Sequence, residues 1–460
     1  MVTHVAPHRR GACSFVPPQL LRQLAANRPE VSARLEASLV VDDRIRLRRR
    51  ETPVGEAVHA AMRVAPGAAW TVHDAAGGTE LPGRRARRAG EPATGDDAVD
   101  EAARGLEQSL DLFRTAYGRD SFDDRGAPVV ATVHYGQDYV NAFWDGTQLV
   151  FGDGDGEVFG RFTRSLDVVA HEFSHAVVQY TADLVYADQS GALNESVCDV
   201  FAACLVQRER GETAEQADWL IGRELFLPGV QARALRDMAN PGTAYDDPAL
   251  GKDPQVGHMD DFVVTQDDNG GVHLNSGIPN RAFHLAATAI GGNSWEGAGA
   301  IWYAALTGEV GARTDFAGFA AATIGAAGAQ ADAVREAWRQ VGVSPAGGAG
   351  GGGDGRGDRQ RGPLRVTRSG GFAGMVEQGE IDLDAADDPR AGDVLALWDR
   401  IDLPAARAQA PAPSSVADGF VYAFTDPAGE RVELPEHALT DDLRSLAGLL
   451  LPGRHRDGGV

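Results

Sequence analysis

Apolar periodicity divides the long middle section of the chain into two halves. From about residue 51 to 165, short apolar runs such as Val129–Val133 lie between Gly, Pro and Asp turn signals and predict strands. After that point, apolar side chains recur at every third or fourth position and predict a series of helices. The predicted helices cover residues 166–181, 192–209, 278–291, 295–307 and 315–340. The pattern predicts a strand-rich lobe over residues 51–182, a helical lobe over 183–345, and a cleft between them.

A short leader precedes these lobes. Residues 1–50 contain a helical pattern of leucines after Pro17 and Pro18, and they end in an arginine-rich run at 46–50. Such a run is usually a solvated charged segment, although its place before a large domain also suits a processing site. We therefore predict a propeptide-like leader over residues 1–50.

A glycine-rich segment and a further domain follow the lobes. Residues 346–362 have the composition of a flexible linker, because glycine has no side chain to pack. Residues 363–460 are numerous enough to form their own core. Strands are predicted near Leu364 and at 419–426, and a closing helix capped by Thr440 completes a small α+β domain.

Composition excludes several classes of protein. The 460 residues carry a formal net charge of −23, which disfavours a nucleic-acid partner because phosphate would be repelled. No apolar stretch reaches the roughly 18 residues that cross a bilayer, so no membrane partner is expected. The first 20 residues lack the apolar core of a secretory signal. Cytoplasmic residence is therefore the default expectation, with export by a non-classical route left open.

Residues 171–175 read His-Glu-Phe-Ser-His and are typical of a metal site. On a helix, His171 and His175 are one turn apart on the same face, so that both imidazoles can bind a single zinc ion. Glu172 projects beside them and is a candidate general base. The alternative is a helix with coincidental histidines.

A second predicted helix supplies carboxylates. Glu195 follows His175 by 20 residues, and a turn expected at residues 188–191 would fold its helix back against the first. Glu195 is then the expected third zinc ligand, since catalytic zinc usually has three protein ligands. Asp199, four residues further on, is expected to accept the second ring N–H of a zinc-binding histidine, with His171 the first candidate.

A polar segment at residues 267–277 adds another histidine. His273 lies between two apolar residues, and Asp268 is close enough along the chain to orient it. Such a pair near zinc can donate a charge-assisted hydrogen bond to an oxyanion, although an isolated histidine of this kind is more often structural.

Over residues 60–340 the chain resembles the thermolysin family of zinc metallopeptidases, and its short leader resembles that of the protealysin branch. The resemblance implies a two-lobed α+β fold, a zymogen, and neutral endopeptidase activity on peptide or protein substrates. It rests on spaced motifs at 141–144, 152–156, 171–175, 191–196, 218–219, 235–236 and 267–277.

By this resemblance, one zinc ion is bound by His171, His175 and Glu195, with Glu172 as general base. The remaining implied roles concern the oxyanion and the substrate. Tyr186 and His273 would stabilise the oxyanion, with Asp268 holding His273. The implied substrate-binding residues are Asn141 and Ala142 for peptide backbone, Arg236 for the carbonyl on the leaving side, and Val168 and Leu235 for an apolar pocket that receives the residue after the scissile bond.

Calcium is the main departure from the resemblance. Secreted family members hold paired calcium ions in a carboxylate cluster, and here Asp167 and Asp218 match that cluster. Val206, Leu220 and Arg223 stand where further acidic ligands are expected, and calcium needs about six to eight oxygens. We therefore expect no double calcium site.

Residues 363–460 resemble emfourin, a small proteinaceous inhibitor of protealysin-like peptidases. The resemblance implies intramolecular inhibition through a flexible tether, and the alternative is an interaction module with no hold on the active site. The alternative hypothesis for the whole chain is a catalytically silent or auto-inhibited scaffold whose C-terminal domain acts as a peptidase inhibitor or binding module. Cys13 is either an ordinary free thiol or a group that contacts the zinc.

Overall fold

The computed structural model describes residues 14–49, 69–308, 310–345, 363–370, 375–382, 390, 394, 397–398, 401, 403, 420–426 and 431–451. The chain forms two compact units, Met1–Ala349 and Gly350–Val460. No helix in the described ranges is long and apolar enough to cross a membrane.

The elements are numbered in chain order. The helices are α1 (Pro18–Asn27), α2 (Ser32–Arg49), α3 (Asp97–Tyr117), α4 (Leu166–Gln179), α5 (Asp188–Arg210), α6 (Asp268–Asn275), α7 (Gly277–Ile290), α8 (Ala298–Leu306), α9 (Phe316–Ala326), α10 (Ala331–Gln340) and α11 (Asp441–Leu450). The strands are β1 (Trp70–Asp74), β2 (Arg84–Arg88), β3 (Val129–Val133), β4 (Ala142–Trp144), β5 (Leu149–Phe151), β6 (Leu220–Ile221), β7 (Arg236–Asp237), β8 (Asp246–Asp247), β9 (Gly251–Lys252), β10 (Pro363–Gly370), β11 (Met375–Asp382), β12 (Phe420–Thr425) and β13 (Arg431–Pro435).

The first lobe is built on a five-stranded sheet in the order β2-β1-β3-β5-β4. Its central strands β1, β3 and β5 are parallel, whereas β2 and β4 pair antiparallel at the two edges. All residues of β3, β4 and β5 are buried, which explains their continuous apolar runs. Ala142 begins the edge strand β4, directly after Asn141.

A long helix, α3, also belongs to this lobe, where the sequence pattern had predicted only strands. The Asp96 side chain accepts hydrogen bonds from the backbone N–H groups of Ala98 and Val99 and caps its first turn. Gly118, with a φ of 69°, ends it in the left-handed conformation. One apolar face of α3 packs on the sheet and on α4.

Helix α4, at the end of the first lobe, packs closely against α5, at the start of the second. The turn expected at residues 188–191 is not there: α5 already begins at Asp188, and the reversal between the helices falls within residues 180–187. The helix expected over 315–340 is divided into α9 and α10 around Gly328, whose φ is 53°.

The leader helices α1 and α2 pack into the same hydrophobic core as the two lobes. Five apolar side chains of the leader are almost inaccessible to solvent, with relative exposures of 0–4%. They are Leu20, Leu21, Leu24, Val31 and Leu35.

The C-terminal unit contains a four-stranded antiparallel sheet in the order β11-β10-β12-β13, together with α11. The Thr440 side chain accepts a hydrogen bond from the Leu443 backbone N–H at the start of α11, as the sequence predicts. Leu364 and Val366 from β10 pack with Leu443 and Leu446 in a separate core.

Candidate metal centre and peptide-binding cleft

Two helices bring three metal-binding side chains together. The Nε2 atoms of His171 and His175, both on α4, are 3.0 Å apart. Glu195 on α5 has one carboxylate oxygen 3.3 Å from His171 Nε2 and the other 3.6 Å from His175 Nε2. A tetrahedral zinc site with bonds of about 2.0–2.1 Å has ligand atoms about 3.3 Å apart. Both the donor types and their spacing therefore fit one zinc ion.

Hydrogen bonds behind the rings fix their orientation. Asp199 Oδ1 is 2.9 Å from His171 Nδ1, and Asn194 Oδ1 is 2.9 Å from His175 Nδ1. Each imidazole can therefore carry its proton on Nδ1 and leave Nε2 free to bind a metal. Cys198, which also lies close to the two histidines, has its sulfur 3.2 Å from His175 Nδ1. This is the edge of the ring that faces Asn194, so Glu195 is the better-placed third ligand.

A buried ion pair between Arg236 and Asp199 lies behind the candidate ligands. Arg236 donates two hydrogen bonds of 2.7 Å to the Asp199 carboxylate, and Asn280 Nδ2 donates a third of 2.9 Å. Burial alone would raise the pKa of Asp199, but Arg236 and His171 lower it to about 2. Burial would likewise lower the pKa of His171, but hydrogen bonds with Asp199 and Glu195 raise it to about 9. The Asp199 and Glu195 carboxylates that favour a proton on this ring also favour a metal cation in place of that proton at Nε2.

Glu172, Tyr186 and His273 lie around the same centre. Glu172 is completely buried on α4, one residue after His171. The Tyr186 hydroxyl donates to Glu195 Oε1, and His273 Nε2 is 3.5 Å from Glu195 Oε2. The structure thus brings Tyr186 and His273 into contact with Glu195, one of the three candidate ligands.

Asp268 and His273 form a close pair. His273 Nδ1 is 2.8 Å from Asp268 Oδ1, and the His273 backbone N–H donates to Asp268 Oδ2 over 3.0 Å. Asp268, Asn269, Gly270 and Gly271 all have positive φ, so the first residues of α6 form a left-handed turn. This turn carries the Asp268 carboxylate back onto the imidazole.

The leader is bound in the cleft through the backbone of Phe15 and Val16. The Phe15 backbone N–H donates to the Ala142 carbonyl over 3.0 Å. Arg236 Nη1 donates to the Phe15 carbonyl over 3.1 Å. Asn141 binds both backbone groups of Val16: its Oδ1 accepts from the N–H over 2.8 Å, and its Nδ2 donates to the carbonyl over 3.2 Å. The residues expected to bind peptide backbone therefore do so here with the chain's own leader.

The Phe15 ring occupies an apolar pocket. It is fully buried, stands edge-on to the His171 ring at 5.0 Å, and has the Arg236 guanidinium 4.6 Å from its centroid. Leu235, which was predicted to line such a pocket, lies beside Gly222. Val168, the other predicted lining residue, is completely buried on α4.

Two residues at the cleft had no sequence signal. A Cβ atom at Gly222 would lie 3.3 Å from the Phe15 ring and 3.0 Å from Leu235 Cβ, so the absence of a side chain leaves room for the ring. Asp42 of α2 is buried, and its carboxylate accepts hydrogen bonds from the Tyr139 hydroxyl and from Asn141 Nδ2. Neither contact follows from a local pattern.

The region predicted to lack calcium has its own ion pairs. Arg223 Nη1 is 2.6 Å from Asp218 Oδ2. Asp167 is buried, and burial raises the pKa of its carboxyl group, which accepts a hydrogen bond from the Gly222 backbone N–H over 2.7 Å. The expectation of no double calcium site stays a prediction. Cys13 and residues 346–362 lie outside the described residues.

Comparisons with known proteins agree with this geometry. The family models described as thermolysin metallopeptidase, catalytic domain, and thermolysin metallopeptidase, alpha-helical domain, match residues 73–179 and 182–343. A third model, Emfourin, matches residues 366–451. The recognition from sequence of both a peptidase and an emfourin-like domain is thereby confirmed, as is the two-lobed fold.

Individual relatives cover most of the chain. An extracellular metalloprotease of Pectobacterium carotovorum subsp. carotovorum is 47% identical over 348 residues, which is 73% of this chain and 97% of that protein. Protease PrtS of a Photorhabdus species is 48% identical over 281 residues, covering 59% of this chain and 76% of that protein. The solved precursor of protealysin, a metalloproteinase from Serratia proteamaculans, is 44% identical with a TM-score of 0.64. The match covers 72% of this chain and 100% of that chain.

The prediction of cytoplasmic residence is wrong. The relative from Pectobacterium carotovorum is named an extracellular metalloprotease, and a Serratia marcescens relative is named an extracellular minor metalloprotease. These names point to secretion. A secretory signal serves a single export route, so the composition of residues 1–20 is a poor guide to location.

The pair of matching peptidase models, and a relative that the chain spans almost completely, agree with the ligand geometry of α4 and α5. The chain belongs to the thermolysin family of zinc metallopeptidases, and it is a zinc metalloendopeptidase that carries an emfourin domain.

Proposed function

We propose that this metalloendopeptidase is made as a latent precursor and prefers an apolar residue after the scissile bond. The single observation that carries the proposal is the leader bound through its backbone to Ala142, Arg236 and Asn141. A peptide substrate offers the same backbone N–H and carbonyl groups to these residues. While the leader is bound, the same contacts prevent other peptides from binding in the cleft.

In the proposed mechanism, His171, His175 and Glu195 hold the zinc ion. When bound, zinc supplies Lewis acidity that polarises a peptide carbonyl and acidifies water. Asp199 keeps His171 in the required tautomer, since its carboxylate is 2.9 Å from Nδ1.

Glu172 is proposed to move the proton. It takes a proton from the attacking water and passes it to the departing amine. Its complete burial on α4, one residue after His171, supports this role, because burial keeps the carboxylate from exchanging its proton freely with bulk water.

His273 and Tyr186 are proposed to stabilise the charge that develops on the carbonyl oxygen. Asp268, 2.8 Å from His273 Nδ1, orients the imidazole so that Nε2 faces the cleft. Loss of one such donor typically costs about 10²–10³ in rate. Arg236, already anchored on Asp199, binds the next carbonyl along the substrate.

The apolar preference follows from the pocket that the Phe15 ring fills. Gly222 borders the ring, Leu235 lies beside Gly222, and the ring is completely buried. Burying a side chain of this size contributes roughly 1.5–3 kcal/mol. A peptide with a large apolar residue at this position is therefore the expected substrate.

The emfourin domain is proposed to inhibit its own chain. A glycine-rich tether of the length of residues 346–362 has an r.m.s. reach of about 20–25 Å and gives roughly millimolar effective concentration. The test compares peptidase activity of the full chain with that of a chain ending at residue 345, after leader removal in both. A rise in activity on truncation is expected, and equal activity would refute inhibition in cis.

The catalytic proposal is tested with Glu172→Gln in the full chain. We expect zinc content to stay at one ion per chain, whereas chelator-sensitive casein cleavage after leader removal is lost. Glu336→Gln, an exchange of the same kind on the exposed side of α10, serves as control and should remain fully active. Normal turnover by Glu172→Gln would contradict the assignment, and absence of any cleavage by the control would favour a silent scaffold.

A further inference from the structure

The Ser14–Phe15 peptide bond is held at the centre of the site that the proposed function assigns to a scissile bond. The Ser14 carbonyl oxygen is 2.9 Å from His273 Nε2, which the proposed mechanism uses to stabilise a carbonyl oxygen. We infer that the peptidase cleaves its own leader between Ser14 and Phe15. This inference rests on the proposed function and adds a processing site within the leader.

The direction of the bound leader is fixed by hydrogen-bond polarity. Arg236 can only donate, and it meets the Phe15 carbonyl, whereas the Ala142 carbonyl can only accept, and it meets the Phe15 N–H. A chain running the opposite way would bring carbonyls to Ala142 and N–H groups to Arg236. The leader therefore runs in one direction, with Ser14 before the reacting centre and Phe15 after it.

The register of the leader is fixed by the side chain of Phe15. Its buried ring stands against His171, one of the candidate zinc ligands, and against the Arg236 guanidinium. A shift by one residue would place either Ser14 or Val16 in this pocket, and neither would fill the space that Gly222 leaves open. Direction and register together select the bond between Ser14 and Phe15.

The reaction adds one water molecule across this bond. The C–N bond breaks, Ser14 gains a carboxylate, and Phe15 becomes a new amino terminus that carries the transferred proton. Residues 15–49 remain joined to the peptidase through the continuing chain, and Leu20, Leu21 and Leu35 stay in the shared core. The cut therefore shortens the leader without emptying the cleft.

The test follows the N-terminus of the purified full chain by intact-mass measurement and N-terminal sequencing over time. We expect a chain that starts at Phe15, produced with a first-order rate that does not change over a tenfold range of protein concentration. Full-length Glu172→Gln should keep the residues before Phe15. Phe15→Ala should be cut roughly 10- to 100-fold more slowly, because the pocket is left unfilled. Val40→Ala, at an exposed position of leader helix α2, should be cut at the wild-type rate.

A second measurement reports on binding without catalysis. In full-length Glu172→Gln, hydrogen exchange should be slow at the Phe15 and Val16 amides, which donate to Ala142 and Asn141. Fast exchange at both amides would overturn the inference, because the bond would not be held in the cleft.

The remaining outcomes separate this inference from the proposed function. If the wild-type chain digests casein after trypsin removes the leader at the 46–50 arginine run, yet an untreated chain keeps Ser14 joined to Phe15, the inference is wrong and the proposed function stands. Cutting of Glu172→Gln at the same bond would show a foreign protease and also overturn the inference. Absence of chelator-sensitive cleavage of both casein and leader would instead count against the proposed function.

Discussion

Replacing Asp199 with asparagine tests the link between the buried ion pair and the metal centre. The Asp199 carboxylate receives two hydrogen bonds from Arg236, one from Asn280 and one from His171. Asparagine has nearly the same shape, but it carries no charge and must turn its NH₂ group towards one of these donors. The variant therefore leaves the buried Arg236 cation without the carboxylate that pairs with it directly.

The expected magnitude follows from these contacts. Breaking a buried pair by removing one partner costs about 3–5 kcal/mol. Loss of the carboxylate behind His171 should weaken zinc binding about 10- to 100-fold. At about 2–4 °C per kcal/mol for large domains, the melting temperature should fall by roughly 10 °C.

The pH dependence of unfolding gives an independent measure. The pKa of Asp199 is lowered to about 2, so its contribution to stability is present above about pH 4 and is lost as pH falls towards 2. A shift of about two pH units corresponds to roughly 2–3 kcal/mol. The wild-type free energy of unfolding should decline by this amount across that range, and that of Asp199→Asn should lack this part of the decline.

Chelator competition and thermal unfolding of the full chain measure both effects. The control is Asp218→Asn, because Asp218 also pairs with an arginine, Arg223, but is about one-third exposed. This surface pair should contribute no more than about 1 kcal/mol. If Asp199→Asn binds zinc as tightly as Asp218→Asn and melts at the same temperature, the reasoning about the buried pair is refuted.

Three further predictions concern the pocket, calcium and a surface histidine. Gly222→Ala should shift the preference after the scissile bond from Phe to smaller residues, measured as kcat/KM ratios for paired peptides; an unchanged ratio would exclude Gly222 from the pocket. Added calcium should change the melting temperature by no more than about 1 °C, because Arg223 pairs with Asp218 where a cation would bind. A larger rise with calcium would contradict the expected absence of a double calcium site. Asp153, with Asp96, raises the pKa of His134 to about 9, so this half-exposed cluster should lose about 1 kcal/mol of stability as pH rises from 6.5 through 9. His134→Asn should abolish that loss in denaturant titrations.

The core of the site could be predicted from sequence because helix geometry dictates it. His171 and His175 are four residues apart, so a helix places them on one face whatever surrounds it. Glu195 and Asp199 repeat the same spacing on the next helix, and the structure brings all four side chains together.

Helix α3 was missed although its signals are present in the sequence. Asp96 precedes the helix as an N-cap, Gly118 follows it, and buried residues such as Val99, Leu106 and Phe113 recur at helical spacing. Short strands on both sides of this segment hid the periodicity, which shows only over a window of about 11–18 residues.

The contacts of the leader with the cleft could not be predicted in this way. Val16 and Asn141 are 125 residues apart, and Asp42 meets Asn141 across 99 residues. No local periodicity encodes such pairs. Gly222 has a φ of 72°, which reads in sequence as an ordinary turn glycine, so its place beside Phe15 becomes visible only in three dimensions.

The shared core of leader and lobes has a consequence for the processed enzyme. Five leader side chains, Leu20, Leu21, Leu24, Val31 and Leu35, are buried in that core, and each such burial contributes roughly 1.5–3 kcal/mol. Departure of the leader would expose to solvent the apolar surface of the enzyme on which these five side chains pack. The mature protease would then persist because it unfolds slowly, not because its free energy of unfolding is large. Its working lifetime would depend on the rate of unfolding.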